Sequence, residues 1–82
     1  MPRKVRQVVL YTADGCALCE RALEVVREVR GRVPFELDVV DIGGDSELER
    51  RYREQLPAVE IDGDLAFTYF VDADALAARL RG

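Results

Sequence analysis

The feature that most limits the fold is an alternation of strand-like and helix-like segments within 82 residues. Residues 7–12 (QVVLYT) are β-branched and aromatic, with apolar side chains on both alternating faces. This pattern is typical of a central, buried strand. Asp14-Gly15 is a turn signal, and residues 16–30 carry apolar side chains at helical spacing. The chain therefore begins with a predicted strand that leads directly into an amphipathic helix.

The middle of the chain predicts a second strand and a short helix. Residues 35–42 (FELDVVDI) have strand-like alternation, and Gly43-Gly44 ends them. The S-E-L-E sequence from Ser46 has the form of a capping box, which predicts a polar helix to about residue 55. The predicted apolar face of the strand carries Phe35, Leu37 and Val39.

The last third of the chain predicts a hairpin and a final helix. Two strand-like segments, residues 58–61 and 65–70, flank Asp62-Gly63, a pair that favours a tight primed turn. Asp72 is a predicted cap for a last helix. The apolar positions of that helix are Ala73, Leu76, Ala77 and Leu80.

The order of these elements, β-α-β-α-β-β-α, predicts the fold class. The two strand–helix units predict strands joined in parallel by right-handed crossovers, and the hairpin adds antiparallel strands. We therefore expect an α/β fold with a four-stranded mixed sheet and helices on both faces. Residues 1–82 are expected to form a single domain, because no linker or repeat divides them.

Composition excludes several classes of protein. A formal net charge of −4 gives no general attraction to polyanions, so nucleic acid is not an expected partner. No apolar run exceeds the four residues of 8–11, whereas a membrane span needs about 20. The basic residues at the start precede no apolar stretch of the length that a signal peptide needs, so we expect no signal peptide, no membrane association and a cytoplasmic location.

The chain has two cysteines, Cys16 and Cys19, and no histidine. A bridge this short contributes about 2 kcal/mol in the chain-entropy estimate, against about 4.5 for one spanning the chain. Stabilisation of the fold by a disulfide cross-link therefore does not explain why the chain has this pair.

The position of the pair favours redox chemistry. Unpaired N–H groups at a helix N-terminus stabilise a thiolate, the reactive form of cysteine, so Cys16 is the candidate nucleophile. Cys19, one turn further on, can attack the resulting mixed disulfide. Asp14 would raise the pKa of Cys16 if it pointed at the sulfur, and Arg21 would offset it.

Two other interpretations of the pair stay open. A structural zinc needs four ligands, and two thiols without imidazole supply only half of them, so we predict no metal site within one chain. A zinc or iron–sulfur site would have to bridge two chains or use outside ligands. Alternatively, both cysteines are small buried apolar residues with no chemical role.

Two segments carry a family resemblance. Residues 8–19 (VVLYTADGCALC) resemble the opening of a glutaredoxin, and residues 56–63 (LPAVEIDG) resemble the family's segment around its cis-proline. The resemblance covers nearly the whole chain and points to the short bacterial glutaredoxin-like branch of the thioredoxin superfamily. It implies a thioredoxin-like fold.

The resemblance also implies roles for individual residues. Cys16 would be the nucleophile and Cys19 the resolving thiol. Pro57 would be cis and face the cysteine pair, and the backbone of Leu56 would bind an extended substrate or the cysteine of glutathione. Tyr11 is a candidate substrate contact, although packing in the sheet with an exposed hydroxyl is an alternative for this ring.

The chain departs from the family at several positions. Ala17 and Leu18 stand where glutaredoxins have proline and an aromatic residue, and residues 67–70 lack the expected glycine pair. Ala13 replaces a frequent basic residue. In the family these features help to hold glutathione. Leu10 stands where thioredoxins have a buried acid.

These observations predict a thiol–disulfide oxidoreductase that reduces protein or small-molecule disulfides through Cys16 and Cys19. We expect a monomer with no tightly bound cofactor. Glutathione, another thiol or a reductase would supply the electrons. The alternative is a non-catalytic binding module whose thiols hold a partner or an intersubunit metal or iron–sulfur site.

Overall fold

A computed structural model describes residues 5–82. Residues 1–4, which begin the basic segment considered above for a signal peptide, lie outside the described residues. The elements in chain order are β1 (Gln7–Thr12), α1 (Ala17–Arg30), β2 (Glu36–Asp41), α2 (Ser46–Tyr52), a 3₁₀ turn (Arg53–Gln55), β3 (Ala58–Ile61), β4 (Asp64–Thr68) and α3 (Ala73–Arg81).

The four strands form one mixed sheet in the order β2-β1-β3-β4. Strand β1 is central and runs parallel to β2, while β3 is antiparallel to both β1 and β4. The α/β class and the mixed sheet are thus confirmed.

The prediction that both strand–helix units join parallel strands is wrong for the second unit. Strand β3 runs antiparallel to β1. Helix α2 has seven residues and is about 10 Å long, whereas a six-residue strand such as β2 spans about 20 Å. The helix therefore does not return the chain along the sheet, and β3 begins at the end where β1 and β2 finish.

The main core lies between the sheet and two helices. Alternate residues of β1 and β3 point to the same face because their register pairs Val8 with Ile61 and Leu10 with Val59. Helices α1 and α3 cover this face. The buried helical residues in this core are Ala22, Val26, Val29, Leu76, Ala77 and Leu80.

A smaller core lies on the opposite face, under α2. Its buried residues are Ile42, Tyr52 and Ala58, and Leu48 of α2 packs against them. Helices therefore cover both faces of the sheet, as expected. Tyr11, Ala13 and Leu56 also pack here. The second core therefore supports the end of β1 and the segment that leads into β3.

Strand β2 is less buried than its sequence suggests. Phe35 is buried and Leu37 is half-buried, but Val39 is 45% exposed. The apolar alternation predicted a common face for these three residues, and it carried no information on which strand lies at an edge. Because β2 is an edge strand, the helices cover only part of that face.

Helix α2 begins with a different cap from the one predicted. Asp45 precedes the helix, and its Oδ1 accepts hydrogen bonds from the N–H groups of Glu47 and Leu48, both at 3.1 Å. Ser46 is instead the first helical residue. Both residue types are good caps, but Asp45 has the extended backbone that a cap needs (φ −113°, ψ 103°).

The predicted hairpin turn is confirmed. Asp62 and Gly63 have φ angles of 51° and 87°, and positive φ at both central residues defines the primed turn that suits twisted strands. Strand β4 ends at Thr68 rather than at residue 70. Tyr69 has φ 66°, which is incompatible with an extended strand and turns the chain toward α3.

Candidate active site

Cys16 is the cap of helix α1. Its backbone is extended (φ −94°, ψ 102°) and its Sγ accepts a hydrogen bond from the Cys19 N–H at 3.1 Å. The side chain is half-buried. The sulfur therefore lies at the positive end of the helix dipole, where an N–H donor is available to a thiolate.

Cys19 lies in the first turn of α1 and is 1% exposed. The two cysteines are joined by a disulfide, with 5.2 Å between their Cα atoms. The two sulfurs thus differ in access, because an incoming reagent can reach Cys16 from solvent while the protein covers Cys19. A mixed sheet that carries a cysteine pair at disulfide distance is an arrangement suited to redox chemistry.

Asp14 and Arg21 are the charges expected to act in opposite directions on Cys16. Both side chains are exposed, and neither forms an ion pair within residues 5–82. Water and salt screen exposed charges strongly. The features that the structure places directly at the sulfur are the hydrogen bond and the helix N-terminus.

Leu56 and Pro57 lie at the same end of the sheet as the cysteine loop. Their peptide bond is cis, Pro57 is buried, and Leu56 is half-buried. The next residue, Ala58, pairs with Tyr11 near the end of β1. This register sets Leu56–Pro57 beside the segment that leads from β1 to Cys16.

Tyr11 packs within the second core. Its ring stacks on the ring of Tyr52 with 3.9 Å between centroids and 13° between planes. Its hydroxyl lies 3.4 Å from Glu60 Oε1. Tyr52 therefore covers one face of the half-buried Tyr11 ring, and the Tyr11 hydroxyl has Glu60 as its polar partner.

Sequence reasoning did not find the cluster of Tyr11, Tyr52 and Glu60. The Tyr52 hydroxyl donates to Glu60 Oε2 at 2.5 Å, so one carboxylate accepts from two stacked tyrosines. Burial, followed by the hydrogen bond to Glu60, raises the pKa of Tyr52 well above its usual range. The only feature of the sequence that pointed to this cluster was the alternation of β3, which places Glu60 on the same face as Ala58.

Raising the pH above about 10, the ordinary pKa of tyrosine, is expected to destabilise the fold partly through Tyr52. Because folding raises this pKa, the stabilisation is complete below that pH and is lost as the pH rises further. The loss approaches about 1.4 kcal/mol per pH unit. Urea unfolding across this range should give a shallower decline for Tyr52→Phe than for the parent protein. Equal slopes would contradict the prediction.

Tyr69 contacts the Leu56–Pro57 segment from two directions. Its N–H donates to the Pro57 carbonyl at 2.9 Å, and its hydroxyl donates to the carbonyl of Glu54. Its left-handed backbone is uncommon for an aromatic residue. The sequence contained no signal for this conformation, because glycine or asparagine usually marks it.

Within residues 5–82, no group of three or more histidine, cysteine, aspartate or glutamate side chains is placed to hold a metal ion. A metal shared between chains would need further ligands from outside this part of the molecule. No helix in the described residues is long and apolar enough to cross a membrane.

Two sets of known proteins are similar to this chain. Uncharacterized proteins of Mycobacterium tuberculosis and Mycobacterium bovis are 31% identical over 77 residues, covering 88% of this chain and 79% of theirs. The solution structure of a Nitrosomonas europaea protein matches with a TM-score of 0.81 and 30% identity, over 98% of this chain and 96% of that one.

Thioredoxins share the fold at lower identity. A mutant thioredoxin from Halobacterium salinarum matches with a TM-score of 0.73 and 20% identity, over 93% of this chain and 72% of that one. This likeness shows a thioredoxin fold. The family described as Glutaredoxin-like domain (DUF836) matches residues 7–81. With that match on the strands, the helices and the cysteine pair, the chain belongs to the glutaredoxin-like domain family.

Proposed function

We propose that this protein is a thiol–disulfide oxidoreductase that reduces protein or small-molecule disulfides with Cys16 and Cys19. The observation that carries the proposal is the asymmetry of the pair. Cys16 is half-buried at the start of α1, and its sulfur accepts a hydrogen bond from the Cys19 N–H. Cys19 is buried one turn further along the helix. The accessible sulfur suits attack on a substrate, and the covered sulfur suits the intramolecular step.

The reaction has two steps. The Cys16 thiolate attacks one sulfur of the substrate disulfide, forms a mixed disulfide and releases the other sulfur as a thiolate. The Cys19 thiolate then attacks the sulfur of Cys16, which releases the second substrate thiolate. The substrate gains two electrons and the protein becomes the Cys16–Cys19 disulfide. Glutathione, another cytoplasmic thiol or a reductase returns the two electrons.

Leu56, Pro57 and Tyr11 have supporting roles in this proposal. Leu56 is half-buried at the end of the sheet that carries Cys16, and its backbone would bind the substrate backbone. Buried Pro57 shapes this segment, and half-buried Tyr11, whose hydroxyl donates to Glu60, would contact the substrate with the part of its side chain that remains accessible. The protein would act as a monomer without a bound cofactor.

A redox titration tests the proposal. The purified protein is equilibrated in graded thiol–disulfide buffers and quenched with acid, and the free thiols are alkylated and counted by mass. We expect a reversible two-electron transition between about −270 and −120 mV, the range of related dithiol proteins. If no Cys16–Cys19 disulfide forms at any potential, the two-cysteine mechanism is wrong, and the binding-module alternative becomes the better account.

A further inference from the structure

A narrow cleft begins at Leu18, which lies between the two cysteines in the sequence. It lies between α1 and the segment that joins β4 to α3, and has a volume of about 90 Å³. The side chains that line it are mainly apolar. They include Leu18, Arg21 and Val25 of α1 and Tyr69, Phe70 and Val71 of the joining segment.

The cleft adjoins the Leu56–Pro57 segment, because Tyr69, which lines the cleft, donates its N–H to the Pro57 carbonyl. Leu18, Arg21 and Val25 follow each other at helical spacing and form one stripe along α1. The stripe begins two residues after Cys16, roughly 3 Å along the helix axis. In the mixed disulfide the substrate's sulfur is bonded to Cys16, so the residues next to the substrate's cysteine lie within reach of this stripe.

The size of the cleft limits what can enter it. A cavity of about 150 Å³ holds benzene, and a water occupies about 30 Å³ of liquid. The volume of about 90 Å³ lies between these two values and suits one branched aliphatic side chain. Phe70 is 73% exposed at the border, so an occupant would remove a large apolar surface from water.

Charge adds a second requirement for the occupant. Arg21 is the only charged side chain that lines the cleft among the described residues, and it forms no ion pair within them. Its exposed guanidinium is available to a carboxylate near the aliphatic side chain. This local cation contrasts with the net charge of −4 for the whole chain.

We propose that this cleft is a side-chain subsite for polypeptide disulfides that carry an aliphatic residue and an acidic one next to the reacting cysteine. The inference rests on the proposed function and names its substrate class. Glutathione disulfide has no aliphatic side chain to place in the cleft, so it is the poorer substrate.

Matched peptide disulfides test the subsite. Three cysteine peptides, with Leu-Asp, Gly-Asp or Leu-Asn beside the cysteine, are linked to the same chromogenic thiol, and glutathione is linked to it as well. Reduced protein should react with the Leu-Asp peptide about tenfold faster than with the Gly-Asp peptide, since small apolar differences in a pocket are worth about 10–200-fold. The glutathione derivative should react as slowly as the Gly-Asp peptide.

Variants of the protein identify the side chains that cause the preferences for leucine and for aspartate. Phe70→Ala should abolish the leucine preference, while Leu65→Ala, which removes an exposed apolar side chain of β4 outside the cleft, should preserve it. Arg21→Gln should reduce only the preference for aspartate over asparagine, and salt should reduce it in the parent protein. Equal rates for the leucine and glycine peptides, or an unchanged preference in Phe70→Ala, would overturn the subsite.

Binding without reaction separates the two proposals. A peptide with alanine in place of its cysteine should shift the NMR resonances of Leu18, Val25 and Phe70, and the glycine version should not. Shifts at these residues in a protein whose cysteines do not react would support the subsite and contradict the oxidoreductase function. Turnover that does not depend on the peptide sequence, without such shifts, would support the oxidoreductase function and contradict the subsite.

Discussion

Replacing Cys19 with serine is expected to trap a mixed disulfide on Cys16. The buried serine cannot displace the bound substrate thiol, so the reaction stops after its first step. Mass spectrometry after incubation with a disulfide peptide should show one peptide added per protein. Turnover should fall by several orders of magnitude, the scale expected when a member of a covalent catalytic unit is removed.

Two further variants control this experiment. Cys16→Ser should form no adduct, because it removes the accessible sulfur. Ala17→Ser places a hydroxyl on an exposed position of the same turn and should keep both turnover and the reversible disulfide. An adduct on Cys19 that survives in Cys16→Ser would reverse the assignment of nucleophile and resolving thiol.

Replacing Leu10 with alanine is expected to remove a large share of the folding stability. Leu10 is 0% exposed in the central strand, between Val39 of β2 and Val59 of β3. A leucine-to-alanine change at such a site costs about 2–5 kcal/mol, and small domains have only about 5–15 kcal/mol in total. Urea unfolding should show a much lower midpoint with a similar slope.

Leu65→Ala provides the comparison for Leu10→Ala. Leu65 is 49% exposed on β4, so the same change should alter the free energy of unfolding by less than about 0.5 kcal/mol. Similar losses at the two positions would show that the main core is not centred on β1.

Local patterns in the sequence predicted much of the fold. The bounds of β1 and the primed turn at Asp62-Gly63 agree with the structure, because apolar alternation and positive φ depend on neighbouring residues. The cap of α2 and the exposure of Val39 were not predicted correctly. Asp45 and Ser46 are equally good candidates locally, and edge position depends on how the strands assemble.

Prediction of the site has a similar limit. The position of Cys16 at the start of α1 follows from the turn before it and the helical pattern after it. The contacts of Tyr52 with Glu60, and of Tyr69 with the carbonyl of Glu54, join residues whose association depends on the path of the chain. Only the folded arrangement shows that these side chains meet around the Leu56–Pro57 segment.

The two open edges of the sheet have a consequence for behaviour at high concentration. Strand β2 carries three exposed carboxylates, on Glu36, Asp38 and Asp41. A second copy that aligned its own β2 here would bring like charges together, which disfavours pairing. At the other edge, the register of β4 against β3 shifts between Val59 and Glu60, and such an irregularity bends the edge strand and disfavours regular pairing with a further strand. Both ends of the sheet therefore resist the strand-by-strand growth that leads to fibrils.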